Sequence, residues 1–495
     1  MKKTLSKNMS YLVVCCFLIV LPYDGFMQSF FEINFTTPDR AMVVDGVETQ
    51  DGDFIFLINN LAYIPGHSHP TLIKTDQQGN LLKTYVIDYY DFIMLSKILS
   101  AGDCSYYILG VFASYPDLVY DSLYLSEWTL DLELIRYTEM ALPFNDYASL
   151  QAAIINSDDQ IVLTGSKVMP PAIQSYIYLI DDQFNLLNQV VFNQSANYTR
   201  VHSIIEFSNS GLNGYLISLS GVLNSDEGLA KLDSDFNIIE YFSLNPHLNN
   251  LGNTTLAKFS DSMYIVTGKF TNTQISLNDI KSLKMDINYN ILATNLFGKE
   301  PDTIDFPGFL NATAIIDNDN IFISGTSNMN IPQFPYASTP SWFILNKVNG
   351  DLDLQWQKFY GGDAHYSVYS IIPSSDGGCV MLGTRYHPNN PTGIDGYILK
   401  VGPDGLVSVP EIPGGLQVKE VIVYPNPGSS QLQIQTGHDD LEIMIFDATG
   451  KIMTQEKIRQ FYHIIPTNAW PSGIYIYRIT RNNELFESGK WVKAE

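Results

Sequence analysis

Residues 368–401 read VYSIIPSSDGGCVMLGTRYHPNNPTGIDGYILKV and contain most of one structural unit. Two apolar runs, VYSII and CVMLG, flank a short turn rich in Ser, Asp and Gly, and a longer loop leads to a third run, DGYILKV. Asp, Asn and Gly tolerate the positive φ that tight hairpins need, and short apolar runs between such turns are typical of strands. The stretch therefore predicts consecutive antiparallel strands of one small sheet.

The same unit recurs along the chain. The turn after the third run begins, in successive copies, at Lys74, Glu127, Leu179, Lys231, Lys284, Lys347 and Lys400, at intervals of 53, 52, 52, 53, 63 and 53 residues. A glycine ends the second run in the later copies, at Gly110, Gly165, Gly221, Gly268, Gly325 and Gly383, and Ile58 takes its place in the first. Four antiparallel strands in each of seven copies predict an all-β, seven-bladed β-propeller over residues 29–408. We attribute the recurrent glycine to crowding between neighbouring blades.

The seventh copy lacks an outer strand of its own. The segment after its turn carries Pro410 and Pro413, which cannot donate a hydrogen bond to a strand ladder. The strand-like segment FFEINF, residues 30–35, belongs to none of the copies. We predict that this N-terminal segment completes the last blade and so joins the two ends of the ring.

The N-terminus and the composition limit the setting in which the protein works. Lys2 and Lys3 precede an apolar run from Tyr11 to Pro22, which predicts a signal peptide over residues 1–28. No later segment has the apolar length of a transmembrane helix. With 52 Asp and Glu against 28 Lys and Arg, the formal net charge is −24, which argues against nucleic-acid binding. Outside the signal only Cys104 and Cys379 remain, and we expect two buried, unpaired thiols; one disulfide is the alternative.

A second, smaller unit follows the repeats. Residues 409–418 contain prolines and glycines and predict a linker. Residues 419–495 then alternate in polarity over several short runs, such as QLQIQ, LEIMIFD and GIYIYRIT. This pattern predicts a small immunoglobulin-like β-sandwich.

The order of motifs in this unit resembles a known family. VYPNP, LEIMIFDATGKIM, WPSGIYIYRI and SGKWVK follow one another as in the C-terminal sorting domain of the type IX secretion system of Bacteroidota. The matching residues are Pro425, Asn426, Pro427, Asp447, Gly450, Gly473, Tyr475 and Lys490. The resemblance implies export to the periplasm, recognition by the outer-membrane secretion machinery, and removal of the domain from a product that is secreted or held at the cell surface.

The loops between the second and third strands are long and varied, and we expect them to share one face of the ring. Four aromatic residues of these loops are candidates for binding a glycan or protein ligand: Tyr63, Phe334, Tyr336 and Tyr386. His67, His69 and His387, with His365 nearby, are candidate zinc ligands, although solvated loop histidines are the simpler interpretation. The sequence shows no recognisable catalytic set, so we expect a monomeric binding protein without a cofactor. A secreted hydrolase or lyase acting on polysaccharide is the alternative.

Overall fold

The computed structural model describes residues 30–494 outside a set of short segments, and the predicted signal peptide therefore lies outside the described residues. The segments left out are 37–39, 62–69, 88–91, 103, 115–118, 143–147, 168–173, 193–199, 210–211, 221–226, 246, 248–253, 273–276, 299–302, 388–392, 408–420, 425–427, 437–440, 459–461 and 482–483.

Seven antiparallel sheets follow one another from the N-terminus, and each is built around four strands. Blades 1 to 4 consist of β2 (Arg40–Glu48), β3 (Phe54–Leu61), β4 (Thr71–Thr75) and β5 (Leu81–Val86); β6 (Phe92–Ser100), β7 (Ser105–Ser114), β8 (Val119–Thr129) and β9 (Leu134–Ala141); β10 (Ala148–Ile155), β11 (Ile161–Lys167), β12 (Gln174–Ile180) and β13 (Leu186–Phe192); and β14 (Arg200–Asn209), β15 (Leu212–Ser220), β16 (Glu227–Asp233) and β17 (Ile238–Ser243). Blades 5 to 7 consist of β18 (Thr255–Ser260), β19 (Met263–Asn272), β20 (Leu277–Asp286) and β21 (Ile291–Phe297); β22 (Phe306–Pro307), β23 (Thr313–Asp317), β24 (Asn320–Ser327), a 3-10 turn (Ile331–Gln333), β25 (Trp342–Val348) and β26 (Leu354–Gly361); and β27 (His365–Pro373), β28 (Cys379–Tyr386) and β29 (Ile394–Val401) with β1 (Phe31–Phe35).

The seven sheets form a closed ring. The first strand of each blade, or β23 in blade 6, contacts the corresponding strand of the next blade, and β27 of blade 7 contacts β2 of blade 1. A separate cluster of buried apolar side chains fills each of the seven seams between neighbouring blades. The predicted all-β propeller architecture is confirmed, and its hydrophobic core is divided among the seams.

The N-terminal strand closes the ring as predicted. Strand β1 pairs antiparallel with β29 from Phe31 opposite Lys400 to Phe35 opposite Gly396, which makes it the outer strand of blade 7. Nearer the axis, blades 7 and 1 are also joined directly. The Glu48 carboxylate of blade 1 accepts hydrogen bonds of 2.6 Å from both the backbone N–H and the hydroxyl of Ser375 in blade 7. The two ends of the propeller are therefore joined both at its rim and nearer its axis.

The repeated turn after the third strand has a definite hydrogen-bond pattern. In the turn that follows β16, the Asp233 carboxylate accepts the backbone N–H groups of Asp235 and Asn237, and the Asn237 amide donates to the same carboxylate. Phe236 adopts a φ of 66° between them, and its side chain is buried in the seam. Leu132, Phe184, Tyr289 and Leu352 repeat this combination of positive φ and burial. Burial of the large side chain offsets the cost of a left-handed conformation, so the turn does not require glycine.

The recurrent glycine has a different cause from the predicted one. At Gly110, Gly165 and Gly383, an added Cβ would collide first with a backbone carbonyl of the first strand of the same blade, that of Met94, Ser149 or Ser367. The first strands of these three blades each carry a β-bulge beside that carbonyl. The main crowding is therefore inside the blade, and the contact with the neighbouring blade, such as Phe343 against Gly383, comes second.

The C-terminal unit is a two-sheet sandwich. One sheet contains β30 (Val421–Tyr424), β31 (Gln431–Thr436) and β34 (Tyr462–Pro466), and the other contains β33 (Ile452–Ile458), β32 (Leu441–Asp447), β35 (Gly473–Arg481) and β36 (Glu484–Lys493), in that order. A single apolar cluster, which includes Ile434, Ile445 and Trp491, lies between the sheets. The predicted linker lies outside the described residues.

Two further expectations can be compared with the fold. Within the described part of the chain, no helix is long and apolar enough to cross a membrane. Cys104 and Cys379, the two cysteines among the described residues, do not form a disulfide. Cys379 is buried on β28, but the expectation that both thiols are buried is wrong, because Cys104 lies in an exposed bend before β7.

Candidate functional site

The residues that resemble sorting motifs have structural roles in the sandwich. The Asp447 carboxylate accepts hydrogen bonds from the backbone N–H groups of Thr449 and Lys451 and from the Thr449 hydroxyl, and Gly450 completes this turn with a φ of 85°. Tyr475 packs its buried ring between Trp470 and Trp491 and donates its hydroxyl to the Pro471 carbonyl. These contacts fix one hairpin and one end of the core.

The remaining motif residues are less constrained by contacts. Gly473 begins β35, and no heavy atom of the described residues lies within 4 Å of the position that its Cβ would take. Lys490 is exposed on β36 opposite Ile476. Pro425, Asn426 and Pro427 lie outside the described residues.

Two of the four predicted ligand-binding aromatics meet on the long-loop face. The rings of Tyr336, from the loop of blade 6, and Tyr386, from the end of β28, lie edge to face with centroids 5.4 Å apart. The Arg40 guanidinium, at the start of β2, lies 4.9 Å from the Tyr336 ring centroid. Tyr336 is 39% exposed. Blades 6, 7 and 1 thus each contribute one residue to an accessible aromatic–cation group.

Phe334 belongs to a different contact. Its ring lies 5.4 Å from that of Phe309, which in turn lies 5.3 Å from that of Tyr369 on β27. It therefore packs against other aromatic side chains and does not extend the Tyr336–Tyr386 pair. Tyr63 lies outside the described residues.

Of the candidate zinc ligands, the structure describes only His365 and His387. The His365 side chain is buried, with Nδ1 at 3.1 Å from the Thr339 carbonyl oxygen, and burial lowers the pKa of this imidazole. His387 follows β28 directly, whereas His67 and His69 lie outside the described residues. Among the described residues, no group of three or more His, Cys, Asp or Glu side chains has a geometry that could hold a metal ion.

A polar cluster that we did not predict lies under the closing strand. Arg385 on β28 forms a 2.7 Å salt bridge with Asp363, and its Nε lies 3.1 Å from the Tyr366 hydroxyl. That hydroxyl donates a 2.6 Å hydrogen bond to the other Asp363 oxygen. Glu32 of β1 reaches the same group and accepts a hydrogen bond from Tyr397. These five side chains line a cavity of about 370 Å³.

Glu32 is the unusual member of this cluster. Burial raises the pKa of its carboxyl to about 7, and the Asp363 charge adds to this effect while Arg385 opposes it. Its Oε2 atom is buried and has no hydrogen-bond partner in the part of the chain that the structure describes. The other two charged groups are paired with each other, so Glu32 is the group whose ionisation is least compensated.

Glu32→Gln should make the protein more stable at alkaline pH. A carboxyl with a folded-state pKa of about 7 and an unfolded value near 4.5 contributes stability below pH 4.5 and loses it as the pH rises through 7. The wild-type chain should therefore lose about 2 kcal/mol more than the variant between pH 5 and pH 8. Melting temperatures of both chains across this range measure the difference. The control Asp319→Asn, on an exposed turn, should follow the wild type, and parallel curves for Glu32→Gln and wild type would contradict the assignment.

The sequence offered only a weak signal for this cluster. In FEINF, Glu32 and Asn34 alternate with apolar residues, as expected for one polar face of an edge strand. Glu32 and Asp363 are 331 positions apart (363 − 32), and only the closure of the ring places them side by side.

Comparisons with known proteins match a family model at the C-terminus and a set of solved structures. Residues 422–494 match the model of the secretion system C-terminal sorting domain. A search of curated proteins finds no match. Similar solved structures include a fungal alcohol oxidase of the AA5 family in complex with copper (10% identity, 94% of this chain and 100% of the other, TM-score 0.45), the polysaccharide lyase Uly1 (8%, 76% and 100%, 0.44) and a Bacteroides caccae protein of unknown function (11%, 65% and 94%, 0.38).

At these identities and TM-scores, the similar structures imply nothing about activity. The family match, in contrast, covers nearly the whole sandwich and includes the hairpin of Asp447 and Gly450 and the strand of Tyr475. The chain therefore carries a type IX secretion system C-terminal sorting domain at residues 422–494, which indicates export and a location at the cell surface or in the secreted fraction.

Proposed function

We propose that the protein is an exported β-propeller that binds a glycan through its long-loop face. The observation that carries the proposal is the Tyr336–Tyr386 pair with Arg40 beside it. Aromatic rings stack on the apolar faces of sugar rings, and their amphipathic character suits a surface that must also stay in water.

The geometry of this group favours binding. Each of its residues comes from a different blade, and the seams between these blades are filled by buried apolar clusters. The backbone positions are therefore set by the rigid ring, and little ordering is needed when a ligand binds. Arg40 supplies a cation next to an exposed ring, which favours glycans that carry carboxylate or sulfate groups over neutral ones.

Tyr336→Ala and Tyr386→Ala should each weaken glycan binding about 5- to 30-fold, because each removes about 1–2 kcal/mol of stacking. A glycan array with the full chain identifies the ligand, and titration of that ligand into each variant measures the loss. Tyr241→Ala is the matched control, since Tyr241 is 53% exposed on β17 at the outer rim of blade 4.

The outcome can contradict the proposal in two ways. An array without any bound glycan would exclude this ligand class and favour a protein ligand. A bound glycan whose affinity is lowered equally by Tyr241→Ala, or by none of the three substitutions, would place the binding site elsewhere on the molecule.

A further inference from the structure

The cavity under the closing strand has the chemistry of a binding site for a cation. We propose that it binds a primary ammonium group, which the Glu32 carboxylate holds by a charge-assisted hydrogen bond. This site is separate from the proposed glycan site, because it lies between the outer strand of blade 7 and the sandwich, and none of the described long-loop aromatics lines it. It is complete only in the chain that still carries the sandwich.

The unsatisfied groups of the cavity are hydrogen-bond acceptors. Glu32 Oε2 and Oε1 of Gln433, which lies on β31 of the sandwich, both line the cavity and are buried, and neither has a hydrogen-bond partner among the described residues. A buried acceptor without a partner costs about 1–3 kcal/mol, so a ligand that supplies donors gains this amount on binding. An ammonium group has three donors and no acceptor, which matches such a site.

The charges and the rings of the cavity favour a positive ligand. The groups that face Glu32 are Asp363, Arg385, Tyr366 and Tyr397. Arg385 is already held by both Asp363 and Tyr366, so an ionised Glu32 leaves the cluster with one uncompensated negative charge. Tyr366 and Tyr397, whose ring centroids are 5.0 Å apart, add aromatic surface, which attracts cations.

An ionised carboxylate at this position costs stability that a neutral side chain would not cost. A Gln side chain would have almost the same shape and would avoid the loss of stability on ionisation. Titratable groups that lie in cavities and whose ionisation lowers the stability of the fold are concentrated at functional sites. Entry of an ammonium group would compensate the Glu32 charge and remove that cost.

The test uses the full chain and n-butylammonium chloride, with n-butanol and sodium chloride as the neutral and ionic controls. Calorimetric titration at pH 8 should show binding of butylammonium and none of butanol. Glu32→Gln should lower the affinity at least tenfold, whereas Asp319→Asn should leave it unchanged. Because the ionised fraction of a group with a pKa of about 7 falls about tenfold from pH 8 to pH 6, the wild-type affinity should fall by a similar factor.

Each result decides the matter. No detectable butylammonium binding, or equal binding by wild type and Glu32→Gln, would overturn the proposal. Equal affinity for butanol would show that the cavity accepts any donor and not a cation. Tyr336→Ala should bind butylammonium normally, so failure of the glycan proposal would leave this result unaffected.

Discussion

A chain that begins at residue 36 should melt roughly 5–10 °C below one that begins at residue 30. The shorter chain lacks β1, and with it the ladder to β29 and the buried ring of Phe31. Burial of Phe31 and of the apolar side of the strand, together with several backbone hydrogen bonds, contributes roughly 5 kcal/mol. For a propeller of this size, a loss of about 5 kcal/mol lowers the melting temperature by roughly 5–10 °C. Thermal unfolding followed by circular dichroism measures it.

Point variants separate closure from a general effect of truncation. Phe31→Ala should cause about half of the loss, because it removes the largest buried side chain of the strand. Leu82→Ala is the control, since Leu82 is 53% exposed on the outer strand of blade 1. Equal melting temperatures for the chains that begin at residues 30 and 36 would show that the pairing with β29 does not stabilise the ring.

Removal of residues 419–495 should abolish delivery to the cell surface and leave a folded propeller inside the cell envelope. Among the described residues, none of the seven seam clusters contains a residue beyond Val407, so the ring keeps its core without the sandwich. The sorting domain, by contrast, is the part that the secretion machinery recognises. We expect at least a tenfold fall in the surface and secreted amounts, measured by immunoblotting of cell fractions.

Two controls keep this result interpretable. Near-ultraviolet circular dichroism of the purified truncated chain checks that the propeller is folded. Ile452→Ala, a surface change at a residue 51% exposed within the sandwich, should not reduce delivery as truncation does. If the truncated chain reaches the surface at normal levels, residues 419–495 are an accessory domain and the sorting signal lies elsewhere in the chain.

Much of the fold could be predicted because it is repeated. Asp233 and Asn237 in one turn, or Asp286 and Asn290 in another, make the same hydrogen bonds, so each copy strengthens the inference from the others. The closing strand could be predicted as well, because the prolines after the seventh turn left one blade incomplete. Such patterns are local in sequence, and local patterns are what sequence reasoning resolves best.

What could not be predicted depends on contacts between distant parts of the chain. We predicted that the recurrent glycines prevent crowding between neighbouring blades. The bulge that crowds Gly383 is instead formed by the neighbouring strand of the same blade, and nothing in the sequence CVMLG indicates this bulge. Phe334 and Tyr336 are two residues apart in one loop, yet one packs on Phe309 and the other on Tyr386. The Glu32–Asp363–Arg385 cluster forms only where β1, the segment between β26 and β27, and β28 meet in the closed ring.

The most direct test is to transfer the sorting domain to another protein. Residues 409–495 are fused to an unrelated exported protein and expressed in a host that has the type IX machinery. The measured quantity is the fraction of the fusion that external protease can digest in intact cells. Most of the fusion should be digested, and the mature product should lack the sandwich. A fusion that stays in the periplasm at full length, protected from protease, would contradict this prediction.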